Sequence, residues 1–76
     1  MEFKEWLIQE KQYSPKASMD VQSRLRRALS FSHEPEISTE TIGKMESNIE
    51  FKDLSACVKS QLRRGVRLFI EFNECN

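Results

Sequence analysis

The chain is 76 residues long, enough for one small domain that buries only about 60% of its unfolded surface, and a separate catalytic domain is excluded. Charged residues make up 32%, glycine and proline number two each, and aliphatic and aromatic positions are plentiful, which suits a helical domain and not a disordered tail. Formal net charge is zero, so the global electrostatic footprint of a tight nucleic-acid binder is missing, although residues 33–50 hold five glutamates against one lysine and both flanks carry a basic excess.

Phe3, Trp6 and Leu7 fall at helical spacing and predict a short amphipathic helix from residue 2 to about residue 10. Ser14 and Pro15 then predict a restart, because a serine oxygen can accept from free backbone amides while proline has none to leave unsatisfied. The second helix runs from Pro15 to about Phe31, with Val21, Leu25, Ala28 and Leu29 on one side. Arg24 and Arg26 stand at its opposite rims, and Lys16, Ser23 and Arg27 around its back. His33, Glu34 and Pro35 form the exit.

Ser38 is the next expected cap, and Ile42, Met45 and Ile49 predict a third, short helix from about Thr39 to Ser47. Asp53 is the expected cap of the longest helix, Leu54 to about Glu74, whose apolar stripe is Val58, Leu62, Gly65, Val66, Phe69 and Phe72. Leu68 and Ile70 widen that stripe. Arg63, Arg64 and Arg67 gather opposite it, with Lys59 nearer the rim and Glu71 expected to relieve part of the crowding. Cys57 and Cys75 lie 18 residues apart on this helix, a separation of about 27 Å that forbids a bridge within it. Neither has a metal-ligand neighbour at useful spacing, and no metal or cofactor is expected. Without a signal peptide or an apolar run of spanning length, the chain is expected to be cytoplasmic and to have no membrane partner.

The stretch SRLRRAL, Ser23 to Leu29, recurs 37 residues later as SQLRRGV, Ser60 to Val66. Gly65 aligns with Ala28, which admits two readings: a close crossing of these two helices, or a tolerated glycine. The arginines likewise either donate to phosphates, whose oxygens a guanidinium fork matches, or form a solvated face paired with glutamates of the acidic middle. Catalysis has little to stand on. His33 is alone in a polar loop, Glu34 and Glu36 lack the opposed environments that split acid and base roles, and no phosphate-binding or metalloprotease motif is present.

FKEWLIQEKQYSPKASMDVQSRLRRAL, followed by ISTETIGKMESNIE and LSACVKSQLRRGVRLFIEF, resembles the core-binding, SAM-like N-terminal domain of tyrosine recombinases and phage-type integrases. The resemblance covers nearly the whole chain and rests on the spacing of apolar and aromatic positions. It implies a single small four-helix orthogonal bundle forming half of a clamp on DNA, with the second and last helices toward the duplex. It also places Arg24, Arg26, Arg27, Lys59, Arg63, Arg64 and Arg67 as candidate phosphate contacts. Nothing corresponds to the family's catalytic half, so the expectation is a non-catalytic module bound weakly to duplex DNA. Four such contacts would give a salt slope of about −3.6. The alternative is a protein-interaction or dimerisation module using Leu68, Ile70 or Trp6. The proposal of DNA binding depends on both arginine sets sharing one outer surface.

Overall fold

The computed structural model describes residues 1–75, the side chain of Cys75 lying outside that description, and is all-α: α1 (Phe3–Gln9), α2 (Pro15–Ser32), α3 (Thr41–Glu46), α4 (Ile49–Lys52) and α5 (Ala56–Cys75). In α1 the expected residues Phe3, Trp6 and Leu7 are buried. The backbone then turns through Gln12 at φ 59°, which lets the Tyr13 N–H donate to the Leu7 carbonyl at 3.0 Å. As the sequence predicts, Ser14 caps α2: its Oγ accepts from the Ala17 N–H at 3.1 Å, and Pro15 occupies the first helical position. Ser18 is fully buried on this helix because its hydroxyl donates to the Pro15 carbonyl one turn back, at 2.7 Å. His33 ends α2 in the left-handed region at φ 57°, donating to the Leu29 carbonyl.

A polar clasp organises the segment that follows. Glu34, with a side chain only 10% exposed, accepts from Thr41 Oγ1 at 2.7 Å, from Ser38 Oγ at 3.1 Å and from Lys44 Nζ at 3.0 Å. Thr41 Oγ1 in turn accepts from the Ser38 N–H at 2.8 Å, and Ser38 Oγ accepts from the Glu40 N–H at 3.2 Å. Ser38 and Thr41 therefore close the turn that leads into α3; Ser38 is not the cap expected of it, because the helix begins at Thr41 and the residue before it, Glu40, makes no side-chain cap hydrogen bond. These donors, that of Thr41 foremost and then that of Lys44, hold the Glu34 carboxyl at about 2, down from an ordinary 4.5. The Lys44 ammonium is stabilised in the same exchange, its pKa raised by the hydrogen bond to Glu34.

Between α3 and α5 the structure departs from expectation. The chain does not carry one apolar stripe through Ile42, Met45 and Ile49. It stops after Glu46 and restarts at Asn48, whose Oδ1 accepts from the amides of Glu50 and Phe51 while its Nδ2 donates to the Phe31 carbonyl at 3.0 Å. The restart resets the helical register, so Ile49 is 75% exposed and Phe51 is buried in its place. Nor does Asp53 cap the last helix. Ser55 does, its Oγ accepting from the Val58 N–H at 3.2 Å.

The core joins Phe3, Trp6 and Leu7 of α1 to Val21, Leu25 and Ala28 of α2, Met45, Phe51, and Leu62 and Val66 of α5. Phe3 meets Phe69 edge to face at 5.0 Å between centroids and Phe72 at 5.4 Å, while Trp6 meets Phe72 at 5.5 Å, which pins α1 to the end of α5. Trp6 is thus a core residue and offers no interaction surface. Leu68 and Ile70 are half-buried and pack against the core, each leaving part of its side chain exposed. No helix among the described residues is long and apolar enough to cross a membrane.

Gly65 lies beneath α2, but its partners are Val21 and Arg24, not Ala28. A methyl group built on Gly65 would sit 3.6 Å from the Cβ of Arg24, an ordinary contact, so the crossing does not demand glycine. Gly65→Ala should therefore stabilise the fold by about 0.5–1 kcal/mol, read as a raised urea midpoint at unchanged slope. Removal of the carboxylate by Glu34→Gln should lower that midpoint at neutral pH. The folded state binds the Glu34 proton less tightly than the unfolded chain does, so the stabilisation is complete above about pH 4.5 and disappears as pH falls toward 2. The gap between parent and variant should close over that window.

Candidate nucleic-acid interface

The placement of the arginines follows from how the two long helices meet. Asp20, Ser23, Arg24 and Arg27 on one edge of α2 line a cleft with Val58, Gln61 and Leu62 from the first half of α5. Gln22, Arg26 and Leu29 on the other edge of α2 face Phe69 and Asn73 from the second half of α5. Helix α5 therefore runs across α2, passing over it where Gly65 meets Val21 and Arg24. In a crossed pair each edge of one helix sees a different half of the other. Arg24 and Arg27 of the first set therefore lie against the Gln61 side of α5, whereas Arg26 and Arg63 face other neighbours, so the two arginine sets share one surface only in part.

Three groups result. Arg24 and Arg27 border the first cleft, which has a volume of about 280 Å³; the stem of Arg24 lies over Gly65, and the Arg27 guanidinium lies 5.7 Å from the centroid of the Phe31 ring. Arg64 stands exposed on α5, three residues and so about one helical turn beyond the cleft residue Gln61. Lys59, Arg63 and Arg67, spaced by four, follow the flank of α5 toward α3 and α4. On that flank Arg63 Nε donates to Glu46 Oε1 at 2.7 Å, and its guanidinium lies 5.6 Å from the centroid of Phe51. Arg26 lies apart from both, in the second groove with Lys4.

Only one of the seven candidate cations is neutralised by the acidic middle segment. Among the described residues, Arg24, Arg26, Arg27, Lys59, Arg64 and Arg67 make no ion pair. Glu71 does not relieve its arginine neighbours on α5; it pairs with Lys11 at 2.6 Å, and Lys11 Nζ also lies 5.3 Å from the Trp6 ring centroid. Ser23, expected on the back of α2, and two residues that the sequence did not single out, Asp20 and Gln61, complete the first cleft. Ser23 and Gln61 supply neutral donors, and Asp20 is the one acid on its walls. Gln61 was legible only by its position one turn before Arg64. Comparison with protein-family models, with curated proteins and with solved structures gives no match.

Proposed function

We propose that this chain is a non-catalytic module that holds duplex DNA by its backbone at the cleft where α2 and α5 cross. Arg24 and Arg27 are the principal phosphate contacts and Arg64 is a third at the edge. The observation that carries the proposal is the convergence of two guanidinium groups free of internal carboxylate partners on a cleft with further donors in Ser23 and Gln61. An arginine already bound to a carboxylate must give up that partner to accept a phosphate, whereas Arg24 and Arg27 have no carboxylate partner to give up among the described residues. The resemblance to the core-binding domain of tyrosine recombinases supports the same two helices. The remaining candidates contribute less: Arg63 is occupied by Glu46, and Arg26 faces a different groove.

Three phosphate contacts and one opposing acid make a weak, salt-sensitive binder. Fluorescence anisotropy with a labelled duplex at several salt concentrations should give a slope of log K against log[salt] of about −2.7. Arg24→Ala and Arg27→Ala should each weaken binding and reduce the magnitude of that slope by about 1, with little dependence on base sequence. Arg63→Ala should leave both affinity and slope nearly unchanged. Absence of binding at low salt, or an equal loss on removing Arg63, would overturn the proposal.

A further inference from the structure

The Arg27 guanidinium does not stand free beside the DNA cleft. It lies over the ring of Phe31, one turn further along α2, at 5.7 Å from the centroid, within the range where a ring face attracts a cation. The ring is itself held in place. Phe51, which is buried, meets it edge to face with 5.8 Å between centroids and 71° between planes. The Phe31 carbonyl belongs to the last turn of α2, where carbonyls lack helical partners, and it accepts from Asn48 Nδ2 at 3.0 Å. The same asparagine caps α4 with its Oδ1. The short helix α4 therefore braces the end of α2 on which the ring stands.

The molecule pairs an arginine with a phenylalanine face in a second place, with one difference. Arg63 lies over the Phe51 ring at 5.6 Å, yet its Nε also donates to Glu46 at 2.7 Å. Arg27 has the ring and, among the described residues, no carboxylate. That difference decides which of the two can take a phosphate. A carboxylate engages the N–H donors themselves, whereas an aromatic face attracts the charge and leaves the donor fork to other acceptors. An exposed arginine also gives up rotamer freedom when a phosphate fixes it, and a side chain already held gives up less. We infer that Phe31 is the positioning residue of the DNA cleft: it holds Arg27 ready for a backbone phosphate, and α4, through Asn48 and Phe51, holds Phe31. This role rests on the DNA reading of the cleft and adds to it the residues that preorganise one of its contacts.

Anisotropy titrations of the full chain against a labelled duplex test this role. Phe31→Leu keeps an apolar side chain against Phe51 but removes the ring face, and should weaken binding about twofold to tenfold, the range expected when one more side chain has to be ordered on binding. Because the Arg27 charge is still present, the salt slope should stay at the parent value, whereas Arg27→Ala reduces its magnitude by about 1. Phe31→Tyr, which retains the ring face, should bind as the parent does. In the Phe31→Leu background Arg27→Ala should cost less than it does in the parent, while Arg24→Ala should cost the same in both. A measurement that needs no variant accompanies these: before DNA is added, nuclear Overhauser contacts should join the Arg27 side chain to the Phe31 ring. Parent-like affinity of a folded Phe31→Leu chain, full additivity of the substitutions at 27 and 31, or absence of those contacts would each overturn the inference and leave the DNA reading standing. Failure of the parent chain to bind the duplex at low salt would remove that reading, and the inference with it.

Discussion

The crossing of α5 over α2 is the constraint on which the rest of the molecule depends. Each of these helices has one apolar stripe, and Val21, Leu25 and Ala28 on one and Leu62 and Val66 on the other are nearly withdrawn from solvent. A crossed pair makes its closest contact over a short length, and here Gly65 lies against Val21 and Arg24 near that point. Away from it the helices diverge and leave apolar surface uncovered at both ends of α5. The remaining elements are the covers. The aromatic end, Phe69 and Phe72, is closed by Phe3 and Trp6, and the opposite flank by Met45 and Phe51. A helix as short as α1 has no stability of its own and is held by those rings.

The same crossing decides what the charges can do. Arginines that follow the apolar stripe by one or two residues look equivalent in the two echoed segments, yet the structure gives them different neighbours. Arg26 lines the second groove, whereas its counterpart Arg63 is drawn to Glu46 and the face of Phe51. Arg27 and its counterpart Arg64 come nearest to keeping a common neighbourhood, Arg27 lining the cleft and Arg64 standing one turn beyond its Gln61. A zero net charge is compatible with such a cleft, because Glu34, Glu40 and Glu46 of the acidic middle segment are engaged by Lys44, by Arg63 and by nearby hydroxyl groups, and no carboxylate of that segment pairs with Arg24 or Arg27 among the described residues.

How much of this was legible in the sequence depended on how local each determinant is. The bodies of α1, α2 and α5 and their buried faces follow from apolar spacing, and the start of α2 follows from Ser14 and Pro15, since a cap acts within one turn. The break at Asn48 was missed although asparagine is a good cap, because Ile42, Met45 and Ile49 also fit a single stripe. What decides between the two is the distant carbonyl of Phe31, which Asn48 reaches across the fold. Ser55 and Asp53 were equally good caps by type, and only the backbone path selects the former. The candidate site was half legible: residue types and helix faces could be read, but the angle between two helices could not, and it is that angle that divides seven candidate cations into three groups.

The clasp around Glu34 adds a last distinction between the two grooves beside α2. Pro35, Glu36 and Ile37 form one wall of the groove that contains Arg26, and they are held between His33, which ends α2, and Ser38, which its hydrogen bonds to Glu34 and Thr41 tie to the turn before α3. That wall therefore depends on side-chain hydrogen bonds, whereas the cleft at Arg24 and Arg27 is built only from α2 and α5, whose relation is set by the packing of Val21, Leu25 and Ala28 on Leu62 and Val66.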